Sequence, residues 1–133
     1  MSPRRGGGPP TPRGLLGRQG EAAAAAHLAG LGFRIVARNH ACRGGEVDLV
    51  AEEGDCLCFV EVRTRRLGPI RPAETVSGAK QQRIVRAARD YLAIHGIPSV
   101  GARAMRFDVV EVTPHPAGRL EIVLLRDAFE ASE

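Results

Sequence analysis

The stretch from Gly44 to Arg66, GGEVDLVAEEGDCLCFVEVRTRR, constrains the fold more than any other part of the chain. Two apolar runs flank Gly54-Asp55, and a glycine in the first position of a two-residue turn is what a type II′ hairpin requires. The turn sets the register. Glu53 faces Cys56, Ala51 faces Cys58, Leu49 faces Val60 and Val47 faces Val62. Above Glu53 that face is apolar throughout, so it is the expected core face. The other face sets Val50 against Phe59, Asp48 against Glu61 and Glu46 against Arg63. Directly opposed residues have Cβ atoms about 5 Å apart. Two carboxylates at that separation repel, and one is driven to hold a proton unless a cation sits between them. A register slipped by two residues would end the direct opposition yet keep both acids on one face. Val50 and Phe59 share the acidic face, which predicts partial cover by another element. The hairpin thus predicts a two-carboxylate cation site with a basic side chain beside it. Oxygen ligands suit a hard divalent ion, Mg²⁺ or Mn²⁺, and the Val62 carbonyl, next to Glu61, is a candidate third ligand. The alternative is a solvated face on which each acid pairs with an arginine.

The remaining elements follow from period and punctuation. MSPRRGGGPPTPRG has almost nothing to bury, so residues 1–14 are expected to be a disordered basic tail and residues 15–133 the folded domain. An Ala-rich helix is expected from Leu15 to Leu31, stopped by Gly30 or Gly32. FRIVARN alternates as a half-buried strand, and ACRGG reads as a turn. RRLGPIRPAETVSG is a loop broken by Pro69 and Pro72. AKQQRIVRAARDYLAIHG reads as a helix with Ile84, Ala88, Tyr91 and His95 on one face and Arg83, Arg86 and Arg89 on the other. ARAMRFDVVEV and RLEIVLL are two further strands, and a short helix is expected from Asp127. Asp108 lies in an apolar strand and needs a partner; Arg106 shares its face. The order is α-β-β-β-α-β-β, a mixed α/β domain on one sheet.

Charge is distributed unevenly. The net charge is +4, and the first twenty residues carry Arg4, Arg5, Arg13 and Arg18 with no acid, while the rest is balanced. A basic arm on a neutral body fits contact with a polyanion. One tyrosine, four phenylalanines and no tryptophan make stacking on an aromatic platform a poor primary mode. No run approaches the ~18 apolar residues of a membrane span, and the Ala-rich run lacks the layout of a secretory signal. Three cysteines, Cys42, Cys56 and Cys58, are expected to be reduced thiols in a cytoplasmic protein. His40, Cys42, Cys56 and Cys58 form a possible zinc set, although their spacing is not that of a common structural site.

Asp48, twelve intervening residues and then EVR resemble the core of the PD-(D/E)XK nuclease superfamily. More closely, GRQGEAAAAAHL, GEVDLVA, FVEVRTR, AKQQRIVRAARDYL and RFDVVEV, taken in order, resemble the YraN-like bacterial family from about Leu15 to Phe129. That family is similar to archaeal Holliday-junction resolvases and tRNA-endonuclease-like domains. The resemblance implies a restriction-endonuclease-like core, a central mixed five-stranded sheet flanked by helices. It implies a Mg²⁺- or Mn²⁺-dependent endonuclease acting on DNA, branched DNA included, or on structured RNA. A homodimer is a further implication, because a four-way junction needs two symmetric cuts.

By position, the resemblance makes Asp48 and Glu61 metal ligands, with Glu46 behind them, held by Arg63. Glu21 occupies the place of a further acid in resolvase-like members; a favourable charge at a helix N-terminus is the competing reading. Arg63 stands where the superfamily motif has lysine. Arginine stays protonated and cannot serve as a general base, which leaves open a non-catalytic nucleic-acid-binding module. The chain has a single lysine, Lys80, against eighteen arginines. Lys80 or Gln81 is expected to approach the metal site and complement Arg63, unless Lys80 is merely solvated at the helix start. Arg65, Arg66 and Arg71, with the helical stripe of Arg83, Arg86 and Arg89, are the expected phosphate contacts. Gly44 and Gly45 would permit close backbone approach, a tight turn, or both.

Overall fold

The computed structural model describes residues 12–64, 76–99, 101 and 103–131. The elements are α1 (Pro12–Gly30), β1 (Arg34–Cys42), β2 (Gly45–Glu53), β3 (Cys56–Thr64), α2 (Gly78–Ile94), β4 (Met105–Pro114) and β5 (Leu120–Phe129). The five strands form one sheet in sequence order. Only β3 and β4 run parallel, and α2 lies in the connection between them. This is the α/β order expected.

α1 opens on a proline, which suits a first turn whose N–H groups have no helical acceptor. It closes where Gly32 takes φ +98 and the Phe33 N–H donates back to the Leu28 carbonyl. The helix thus starts three residues before the expected boundary, inside the presumed tail. Ser77 caps α2 by accepting the Lys80 N–H at 3.3 Å. Its expected inner face is buried through Ile84, Ala88 and Tyr91, joined by Val85, Ala87 and Leu92, while Arg83, Arg86 and Arg89 stay exposed. His95 is the exposed C-cap, with its ring 4.2 Å from that of Tyr91.

Both faces of the sheet are core. Along β3, Leu57 and Phe59 pack into the cluster under α2, and Cys58 and Val60 into the one under α1. Alternate strand residues point to opposite faces, so the two helices cover opposite sides. The partial cover expected over Val50 and Phe59 is in fact complete, since both are buried beneath α2. Gly45 is the close approach on that side: a Cβ there would lie 2.5 Å from the Arg83 carbonyl oxygen. The backbone it admits is the protein's own helix, while Gly44 (φ +78) makes the turn.

The C-terminal helix expected from Asp127 is absent, and β5 runs through that residue. Asp127 adopts φ +54, which aspartate tolerates better than most residues. It sits where the β4–β5 register shifts, and its N–H donates to the buried Asp108 carboxylate at 2.9 Å. The signal read as a helix start belongs to a bulge. Asp108 has its expected partner in the Arg106 Nε, at 2.8 Å.

Candidate active site

The turn fixed the hairpin register as expected: Gly54 has φ +58, and pairing runs from Glu53↔Cys56 to Leu49↔Val60. Beyond that pair the two strands part. β2 continues against β1 as far as Cys42↔Gly45, and β3 continues against β4 as far as Thr64↔Val112. Alternation in β2 breaks at the same place. Val47 joins the α2 cluster although Leu49, two residues on, joins the α1 cluster. The expected Val47–Val62 pair on one face is therefore not formed, because Val62 packs on the α1 side.

A cleft of about 250 Å³ occupies this fork. Its charged lining is Glu21, Glu46, Asp48 and Glu61 against Lys80 and Arg83, four acids to two cations. Asp48 Oδ2 accepts the Val62 N–H at 2.8 Å, a bond that takes over where the ladder stops. Burial, and next the charge of Glu61, push the Asp48 carboxyl from 3.8 up to about 8, against the pull of the Val62 N–H. The acid pair thus favours holding a proton well above the ordinary carboxylate range. Glu61 is 5% exposed, and its Oε2 lies 2.6 Å from the Lys80 Nζ. Lys80 stands in the first turn of α2, where a cation opposes the helix dipole by about 0.3–1 kcal/mol. Glu61 offsets that cost. Gln81, the other candidate, instead donates to the Val76 carbonyl at 2.7 Å.

Glu21 lies in the middle of α1, not at its start, so the helix-terminus reading of its charge is overturned. Gly20 delivers it. A Cβ at Gly20 would come 2.5 Å from the Thr64 hydroxyl, so α1 packs directly on the end of β3. Burial raises the Glu21 pKa, a hydrogen bond with Asn39 lowers it, and the charges of Glu46 and Glu61 raise it. Gly20 and Asn39 were not anticipated. A glycine inside an Ala-rich helix was the available signal for the first. An asparagine, here at φ +51, was the signal for the second.

Arg63 is 3.8 Å from Glu111 on β4, a partner that the hairpin alone does not disclose. Arg83 lines the cleft, and Arg86 reaches over Gly44. Arg65, Arg66 and Arg71 lie outside the described residues. The possible zinc set is split. Cys42 packs on the α2 side, Cys56 and Cys58 on the α1 side, and His40 Nε2 is 2.8 Å from Asp90. Among the described residues no three His, Cys, Asp or Glu side chains group to hold a metal, so any ion site in the fork is built on a pair. Nor is any described helix long and apolar enough to cross a membrane.

Residues 20–112, which include every charged residue of the cleft, match the model described as uncharacterised protein family UPF0102. The chain belongs to the UPF0102 family. It is 49% identical over 119 residues to a UPF0102 protein of Symbiobacterium thermophilum, covering 87% of this chain and 97% of that one. A UPF0102 protein of Chloroflexus aurantiacus is 50% identical over 78% of this chain and 83% of its own. One from Anaeromyxobacter dehalogenans is 53% identical over 80% and 78%. This is the family to which the YraN-like motifs pointed. The UPF0102 match ends at Val112, the last β4 residue paired to β3, so it takes in both strands of the fork, all of α2 and α1 from Gly20 onward.

Proposed function

We propose that this UPF0102 protein is a Mg²⁺- or Mn²⁺-dependent endonuclease of the PD-(D/E)XK type that hydrolyses phosphodiester bonds in DNA. The observation that carries the reading is the fork itself, where Asp48 and Glu61 share a buried site with the ammonium of Lys80. A hard ion suits the donors. Mg²⁺ typically takes one or two carboxylates and fills its remaining positions with water and substrate phosphate. Burial, and next the charge of Glu61, raise the Asp48 pKa, so a cation between the two carboxylates would be favoured there. The acidic surplus also means that a polyanion gains from a cation in the cleft.

Asp48 and Glu61 would hold the ion. When bound, such an ion supplies a water of lowered pKa and offsets charge on the phosphate. The chain's own residues do the rest. The Val62 N–H keeps Asp48 Oδ2 in place. Lys80 faces the acid pair and takes the role that the motif gives to a strand lysine, leaving Arg63 with Glu111. Arg83 and Arg86 continue from the cleft along α2 as contacts to flanking phosphates. No element among the described residues is one that reads base edges, so backbone and shape are the expected basis of recognition. Three free thiols suit a reducing cytoplasm.

The test is cleavage of linear duplex, single strand, flap, four-way junction and structured RNA with Mg²⁺ or Mn²⁺. Asp48→Ala and Glu61→Ala should each lower cutting on the order of 10²–10³-fold or more, as when a group that stabilises transition-state charge is removed. Salt-sensitive binding with no cutting by any protein would instead indicate a binding module.

A further inference from the structure

The fork contains a cation of the chain's own. Lys80 Nζ is 2.6 Å from Glu61 Oε2, and Glu61 is otherwise almost fully buried. An ammonium at that distance takes up Oε2, one of the two oxygens that Glu61 could offer an incoming ion. Two positive centres on one carboxylate oxygen repel each other. The Lys80 side chain is 52% exposed on a four-carbon stem, so it has room to leave. Arg63 lies 3.8 Å from Glu111 on β4.

We infer that Lys80 is the resident counter-ion of Glu61, that it competes with the divalent ion, and that a nucleic-acid phosphate relieves the competition by accepting the ammonium. This rests on the nuclease reading and adds regulation to it. The single lysine would then hold metal affinity low until substrate arrives. By linkage, nucleic acid and metal raise each other's affinity by one common factor. Arginine in its place would be a poorer device, because its wide planar fork favours staying bidentate on a carboxylate.

The test reads metal binding, not activity. Free Mn²⁺ is followed by electron paramagnetic resonance for wild type, Lys80→Met, Lys80→Arg and Asp48→Asn, with and without a short phosphorothioate DNA duplex. Lys80→Met should bind Mn²⁺ about tenfold tighter than wild type without DNA, within the usual span of coupling between sites. Lys80→Arg should stay near wild type. The duplex should tighten Mn²⁺ binding to wild type by a similar factor and change Lys80→Met little. Equal affinity in wild type and Lys80→Met, lost in Asp48→Asn, would overturn the competition and leave the metal site standing. Weaker binding by Lys80→Met would also overturn it, by making Lys80 a support for the ion. Absence of Mn²⁺ binding in every protein, with or without DNA, would remove both this inference and the metal reading beneath it.

Discussion

The two ends of the β2–β3 hairpin carry the same residue types and treat them in opposite ways. At the turn end, Glu52 bonds Arg34 and Arg103, and Glu53 bonds Arg106 and Arg126. Four arginines serve two acids. Their hydrogen bonds hold both carboxyls below the ordinary range, Glu53 at about 2. At the fork, four acids meet one lysine and one arginine, and Asp48 is pushed up to about 8. Among the described residues, a chain with eighteen arginines has brought only one of them, Arg83, to the cleft that holds Asp48 and Glu61. Glu52 and Glu53 each have two arginine partners, whereas the fork gathers four acids around Lys80 and Arg83. Acid composition does not distinguish the two; burial at the fork and arginine partners at the turn do.

Disrupting the turn end should cost most. Arg106→Ala strips its main counter-charge from Asp108, which is fully buried and keeps only the Asp127 N–H among these partners. We expect a loss of about 3–5 kcal/mol in urea denaturation. A loss below ~1 kcal/mol would reduce this network to the rank of surface pairs. At the fork, Gly45→Ala would push a Cβ against two α2 backbone atoms, the Arg83 carbonyl oxygen at 2.5 Å and the Ala87 nitrogen at 2.8 Å. Backbone yields poorly, so about 1–3 kcal/mol should be lost. A neutral result would mean that α2 can shift on β2.

The two ends should also answer pH in opposite directions. The Asp48 pKa is raised from 3.8 to about 8. Across that window the folded chain binds a proton that the unfolded chain does not, so this contribution to stability falls as pH rises. In chelator at pH 8–9, Asp48→Asn should therefore be more stable than wild type, by about 1–2 kcal/mol as is common when a functional site is relaxed. Saturating Mg²⁺ should close the gap by stabilising wild type. The Glu53 pKa is lowered from 4.5 to about 2. Its contribution is present above 4.5 and lost as pH falls towards 2, and Glu53→Gln should remove that dependence in acid denaturation. Matching pH slopes for the two variants would contradict the contrast. The smallest effect belongs to Arg34→Ala. That side chain is 76% exposed and Glu52 keeps Arg103, so thermal denaturation should shift by no more than ~1 kcal/mol.

What was legible in the sequence was local. Gly54-Asp55 determined the turn and with it the register from Glu53↔Cys56 to Leu49↔Val60. The 3.6-residue period separated the buried face of α2 from its arginines. Period two placed Arg106 beside Asp108. Asp48 and Glu61 could be brought together on paper because a hairpin is a short-range object whose geometry its turn dictates. The tertiary structure decided everything that depends on what comes from elsewhere in the chain. It parted β2 from β3 at Asp48, where each strand has a different outer neighbour to follow. It set Glu21 at the fork by letting α1 pack on Thr64 through Gly20, and it gave Arg63 to Glu111 and Lys80 to Glu61. It also turned the expected helix at Asp127 into a strand bulge, whose N–H gives the buried Asp108 carboxylate a donor besides Arg106. The sequence determined that Asp48 and Glu61 share one hairpin; the packing of helices on a sheet, set by contacts far apart in the chain, determined that Glu21 joins them and which cations reach them.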